Sequence, residues 1–202
     1  FTISADGTSI TEVDSEKHGG VSKYSSIVQV DSDTYVLATT GFNDDGYIKT
    51  FTISSDGTSI TKEASLEHDG TRGEYNSLVQ VDEDTYALAY QGPGDDGFIT
   101  TFTIPADGSS ITEVATLEHD TNNDGYNSLV KLNSKTYALA YRGPGDNGYF
   151  TLFEISANGA TITKVASLEF DTDDNGYNSL EIVDANTAVL AYAGTGSDGF
   201  IK

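Results

Sequence analysis

Apolar and polar residues alternate along most of this chain with a period of two, in short runs separated by Asp, Asn and Gly, and no segment carries a 3.6-residue apolar stripe. In residues 51–101, Ser77-Leu78-Val79-Gln80-Val81 reads as one strand and Thr85-Tyr86-Ala87-Leu88-Ala89-Tyr90 as a second. A third, Phe98 to Ile104, places Phe98, Thr100, Phe102 and Ile104 on one face. Asp107-Gly108 then supplies the positive-φ pair of a hairpin turn into a fourth strand, Ile111 to Glu118. Almost no helix is expected.

The whole pattern recurs. Phe1, Phe51, Phe102 and Phe153 open four units, 1–50, 51–101, 102–152 and 153–202, and 30 of 51 positions are identical between the second and third, so one unit has been duplicated. Each unit is too small to bury its own apolar face and must pack on its neighbours, which makes 1–202 a single repeat domain. Four short antiparallel strands per fifty-residue unit match the blade of a β-propeller. Small residues such as Ala87, Ala89, Ala138 and Ala140 suit close packing of blade on blade.

On these strands and turns the unit resembles the bladed repeat of β-propeller proteins, of the kind found in large secreted or surface proteins of microbes. It lacks the Gly-His and Trp-Asp signature of WD40 blades. The resemblance implies an all-β propeller used mostly for binding and sometimes for catalysis. Gly199-Phe200-Ile201-Lys202 repeats Gly46-Tyr47-Ile48-Lys49, after which unit one continues Thr50-Phe51. Four blades closing into one ring, with the third strand split between the two ends of the chain, is the favoured reading; an excerpt of a longer array, or half of a larger ring, is the alternative. The mid-strand start and the absence of methionine fit a processed product or a segment of a longer polypeptide.

Composition narrows the partners. With 32 Asp and Glu against 10 Lys and Arg, the formal charge of -22 argues against nucleic acid and anionic membranes. No apolar run approaches the roughly twenty residues of a membrane span. The absence of cysteine removes disulfides, thiolate metal sites and cysteine nucleophiles. An extracellular or cell-surface location fits the acidity.

Candidate chemistry sits in loops expected at one rim. Asp120-Thr121-Asn122-Asn123-Asp124-Gly125 and Asp171-Thr172-Asp173-Asp174-Asn175-Gly176 fit D-x-[DN]-x-[DN]-G, the oxygen spacing that wraps calcium. Asp120, Asn122, Asp124, Asp171, Asp173 and Asn175 are therefore candidate Ca2+ ligands. Lys131 and Ile182 stand where an EF-hand needs its bidentate Glu, so a surface turn is the competing reading. His18, His68 and His119 occupy one unit position, replaced by Phe170 in the fourth, and a structural role is favoured. Tyr75, Tyr126 and Tyr177, with Asn76, Asn127 and Asn178 beside them, start inner strands; Tyr90, Tyr141 and Tyr192 end second strands at the same rim. Flat rings beside amides suit a sugar, and packing between blades competes with that role.

No candidate acid pair or nucleophile is unique to one unit, so a non-enzymatic binding or adhesion module is expected, presenting several weak acidic-rim sites to a glycan or a surface protein. The alternative is a structural spacer or self-assembling subunit of a longer surface protein. A propeller hydrolase ranks third.

Overall fold

A computed structural model describes residues 1–202. The first blade comprises β3 (Lys23–Gln29), β4 (Thr34–Thr40), β5 (Gly46–Ile53) and β6 (Ile60–Asp69). The second comprises β7 (Glu74–Asp82), β8 (Thr85–Gln91), β9 (Gly97–Thr103) and β10 (Thr112–Asp120). The third comprises β11 (Gly125–Lys131), β12 (Thr136–Arg142), β13 (Gly148–Ile155) and β14 (Ile162–Asp171). Each is an antiparallel meander in which chain order equals spatial order. The fourth sheet has three strands, β15 (Gly176–Asp184), β16 (Thr187–Ala193) and β17 (Gly199–Ile201). Near the start of the chain, β1 (Thr2–Ile3) and β2 (Ile10–Thr11) pair only with each other.

The turns are built as the sequence asks. Between second and third strands, Gly94 and Asp95 both take positive φ, 79° and 68°, in a single 3-10 turn over Pro93–Asp95. Glycine adopts that geometry without cost, and Asp tolerates it better than most residues.

Alternation within a strand determines how blades stack. Along β8, Tyr86, Leu88 and Tyr90 point back to the first blade and pack on Val36, Ala38 and Ile48. Ala87 and Ala89 point forward, where Leu129, Tyr137, Leu139 and Tyr141 of the third blade fill the space that they leave. Large side chains thus fit against small ones at every joint, and each large residue so buried contributes roughly 1.5–3 kcal/mol. A third core joins Ala138 and Ala140 to Leu180, Leu190 and Tyr192.

Inner strands are also linked by a polar rung. The amides of Leu78, Leu129 and Leu180 donate to Ser26, Ser77 and Ser128 Oγ at 3.1, 2.9 and 2.9 Å. The serine of each Tyr-x-Ser segment therefore holds the strand of the next blade.

Four blades give three cores, not four. No core joins the fourth blade to the first, and β1 and β2 do not pair with β17. The favoured closed four-blade ring is not formed. The molecule is an open arc whose first and fourth blades share neither a core nor a strand pairing.

Candidate binding site

The inner strands β3, β7, β11 and β15 run side by side, and each carries a tyrosine close to its start. Tyr24, Tyr75, Tyr126 and Tyr177 have φ of 48°, 52°, 52° and 52°. Left-handed backbone costs a bulky residue about 1–2 kcal/mol, so finding it at four equivalent positions marks a constrained feature of the fold. The local cause is a bulge: between Gly125 and Ser128 the pairing of β11 with β12 slips, as it does at the same place in the other three blades.

The four rings form a ladder. Centroids are 4.2 Å apart for Tyr24 and Tyr75, and 4.7 Å for both Tyr75–Tyr126 and Tyr126–Tyr177, with tilts of 38–49°. Arg142 lies over the Tyr126 ring at 4.8 Å. Together with Ser25, Asn76, Asn127 and Asn178, these rings line an open depression of ≈ 170 Å³. Burial raises the Tyr75 phenol, and a hydrogen bond to Tyr126 raises that of Tyr177, so both are neutral hydroxyls at physiological pH.

The asparagine amides are fixed from one side only. Asn127 Nδ2 donates to Asp124 Oδ1 at 2.7 Å, Asn178 Nδ2 donates to Asn175 Oδ1 at 2.9 Å, and Asn76 Nδ2 donates to the Gly73 carbonyl at 3.0 Å. Their buried Oδ1 atoms have no protein donor. The depression thus offers aromatic faces and phenolic hydroxyls to a polyhydroxylated molecule, whereas the three Asn Oδ1 atoms are sealed from anything resting in it. Tyr24 and Ser25 were not among the expected site residues; the spacing of 51 from Tyr24 to Tyr75 was the signal that marks the first.

The other tyrosines lie elsewhere. Tyr90, Tyr141 and Tyr192 are buried in the three inter-blade cores, outside the depression. Two of their hydroxyls reach loop acids: Tyr141 donates to Asp120 Oδ2 at 3.0 Å and Tyr192 to Asp171 Oδ2 at 2.8 Å. Burial pushes Tyr90 up to about 12.

The acidic loops do gather at one rim. Asn123 Nδ2 reaches Asp146 Oδ1 at 2.6 Å, and the amides of Asp124 and Asn175 donate to the carbonyls of Asp95 and Asp146, both at 2.7 Å. Within each loop, however, the candidate calcium ligands point in different directions. Asp120 Oδ1 accepts the Asn122 amide and Asp171 Oδ1 accepts the Asp173 amide, both in Asx turns. Asp173 Oδ2 accepts Thr195 Oγ1. Asp124 and Asn175 are turned inward and fully buried. No three acidic or histidine side chains converge as an ion-binding group.

His68 and His119 are buried edge-on against Tyr90 and Phe102, and against Tyr141 and Phe153, of the following blade. His18 sits likewise against Phe51. Burial pulls His68 down to about 4 and His119 to about 3, so both are neutral packing elements.

No family model matches this chain, and neither does any curated protein. Solved structures do. A protein from Lactobacillus plantarum superposes with a TM-score of 0.66 at 15% identity, over 99% of this chain and 58% of its own. The NanB sialidase of Streptococcus pneumoniae gives 0.59 at 11% identity, over 83% and 27%. The exo-β-1,3-galactanase of Phanerochaete chrysosporium, solved with β-1,3-galactotriose, gives 0.55 at 11% identity, over 96% and 46%. The fold is a β-propeller. At such identities the likeness concerns the fold alone, and this propeller chain spans less than two thirds of each of those chains.

Proposed function

We propose that the chain is a non-catalytic binding propeller whose tyrosine-lined depression holds a glycan. The observation that carries this reading is the ladder of four left-handed tyrosines that lines the depression. A pyranose offers apolar C–H faces to stack on rings and hydroxyls to exchange hydrogen bonds with phenols, and the depression presents both rings and phenols. Two of the propellers to which the chain is similar are named as a sialidase and a galactanase, the latter with an oligosaccharide bound.

An enzymatic role would need opposed carboxylates or an activated nucleophile at one place. The depression contains neither; its residues repeat from blade to blade. The acidic rim fits an extracellular or cell-surface location. The experiment is a glycan array probed with the intact chain and with Tyr126→Ala, read with and without calcium. Binding that the variant loses supports the reading; no signal above background in either buffer overturns it.

A further inference from the structure

The chain has no Cys, Met or Trp, the side chains that ordinarily meet an oxidant first, and it has 12 tyrosines. Phenols are therefore its most readily oxidised abundant groups. Four of them, Tyr24, Tyr75, Tyr126 and Tyr177, stand in one row.

The spacing in that row is unusually close. Aromatic pairs generally keep their centroids roughly 4.5–7 Å apart. The ladder lies at or below the near end of that range, at 4.2 Å for Tyr24–Tyr75 and 4.7 Å for each of the other two pairs. Tilts of 38–49° swing one edge of each ring toward its neighbour. The hydroxyl edges are the ones that meet: after burial, hydrogen bonds to Tyr24 and Tyr126 raise the Tyr75 phenol, and a hydrogen bond to Tyr126 is the leading cause for Tyr177. The carbons ortho to neighbouring oxygens are thereby brought side by side. Tyr141 and Tyr149 also pair, but at 5.6 Å and nearly parallel, with Tyr141 buried and its hydroxyl on Asp120.

The backbone holds the row together. Each ring springs from the same bulge, and the Ser-to-amide rungs from Ser26, Ser77 and Ser128 fix each inner strand against the next two residues further along. Adjacent rings come from different blades, and all four line an open depression that solvent and small oxidants enter.

We propose that the ladder is a site of oxidative cross-linking, at which a peroxide-driven one-electron oxidant joins neighbouring tyrosines by a carbon–carbon bond. Each of two adjacent phenols gives up one electron and its hydroxyl proton, leaving a phenoxyl radical whose unpaired electron is shared with the ortho carbons. Two ortho carbons then bond. Each loses its hydrogen as a proton while the oxygen of the same ring takes one up, and both rings regain aromaticity. Two hydrogens have left the protein, and the O–O bond of hydrogen peroxide has broken to give two waters. The new bond between Tyr75 and Tyr126 closes a loop of 51 residues and ties β7 to β11, a covalent clasp between blades that restricts the unfolded chain as a disulfide does. A chain without cysteine has no other side-chain pair suited to that role.

The test treats the intact chain, in dilute solution, with hydrogen peroxide and a haem peroxidase. The expected product has single-chain mass less two hydrogens and the blue fluorescence of dityrosine, and peptide mapping joins neighbouring ladder tyrosines. Unfolding the wild type in urea before oxidation is expected to disperse the links among all 12 tyrosines. The double variant Tyr75→Phe with Tyr177→Phe keeps every ring yet leaves no two ladder phenols adjacent. Its circular dichroism spectrum is expected to match wild type and its within-chain product to be lost, whereas Tyr141→Phe is expected to leave that product unchanged. Wild type that yields no within-chain product, links that form only between chains, a link that maps to Tyr141 and Tyr149, or a product that persists in the double variant would each overturn the proposal. No glycan is present in these measurements, so they stand apart from the binding reading.

Discussion

His119 Nε2 lies 3.8 Å from Asp124 Oδ2, and both side chains are fully buried beneath the acidic rim. The spacing would suit an ion pair, but burial drives both groups toward their neutral forms. Asp124 is raised well above its ordinary 3.8, mainly by burial, and His119 is lowered to about 3 for the same reason. The other blades avoid the problem. His68 has Gly73 across from it, and Phe170 has the uncharged Asn175.

The signs of the two linkages are opposite. A carboxyl with a raised folded pKa holds its proton better in the folded state, so its contribution is full below pH 3.8 and is lost as pH rises through the folded value. A histidine with a lowered folded pKa contributes fully above 6.5 and loses stability as pH falls toward about 3. Asp124→Asn copies Asn175 and removes the first loss only. The variant is expected to melt higher than wild type at pH 8, with the gap closing toward pH 4. At this chain length each kcal/mol corresponds to roughly 2–4 °C. Thermal melts across that range check it, and a wild type more stable than the variant at pH 8 would refute the neutral-pair reading.

The serine rungs make a separate prediction. Ser77 Oγ accepts the amide of Leu129, a residue buried in the core between the second and third blades. Ser77→Ala leaves that donor without a partner, at an expected cost of about 1–3 kcal/mol. Ser128→Ala should cost a similar amount, because Ser128 stands in the same relation to Leu180. Urea unfolding measures both, and losses below about 0.5 kcal/mol, the level of ordinary surface changes, would show that the rungs are incidental.

Tyr126 allows the backbone strain to be separated from the ring. Both Tyr126→Ala and Tyr126→Gly lose the stacking on Tyr75 and Tyr177. Only glycine relieves the left-handed φ of 52°. In an ordinary strand glycine is the weaker of the two by roughly 0.5–1 kcal/mol. Here the order should invert, with Tyr126→Gly more stable than Tyr126→Ala by about 1 kcal/mol. If alanine proves the more stable, the tyrosine conformation is not a strained one. Both variants should lose binding at the depression.

Strand period, the Asp-Gly turns and the spacing of 51 were enough to read the blade from the sequence, since each is a local property of a repeated segment. The open arc was not readable. Ring closure depends on the angle of each joint, which arises from how Tyr86 and Leu88 seat on Val36 and Ala38, and no local pattern encodes that angle. The depression was half legible. Tyr126 and Asn127 stood out by recurrence, whereas the bulge that turns the tyrosines toward one another is a backbone feature without a residue signature. Tyr141 shows the converse case: its place in the repeat suggested a rim ligand, and its burial depends on the facing alanines of the second blade, Ala87 and Ala89.

Ions should act on this chain mainly by screening. Formal charge is -22, and the ten Lys and Arg residues cannot neutralise a rim to which every blade contributes carboxylates. Raising NaCl from about 0.01 to 0.5 M shortens the Debye length from about 30 Å to under 8 Å, so melting temperature should rise over that range. For a specific calcium effect, Asp120, Asp124, Asp171 and Asp173 would have to turn their oxygens to one point. Instead Asp120 and Asp171 are tied to Tyr141 and Tyr192, and Asp124 is buried beside His119. Breaking those contacts would expose buried phenols and a core histidine, a rearrangement that calcium binding would have to offset. The expected outcome is equal melting temperatures in CaCl2 and NaCl at matched ionic strength. A saturable further rise in calcium, abolished by Asp171→Asn, would instead place an ion in the loop from Asp171 to Gly176 and show that the Tyr192 contact yields to it.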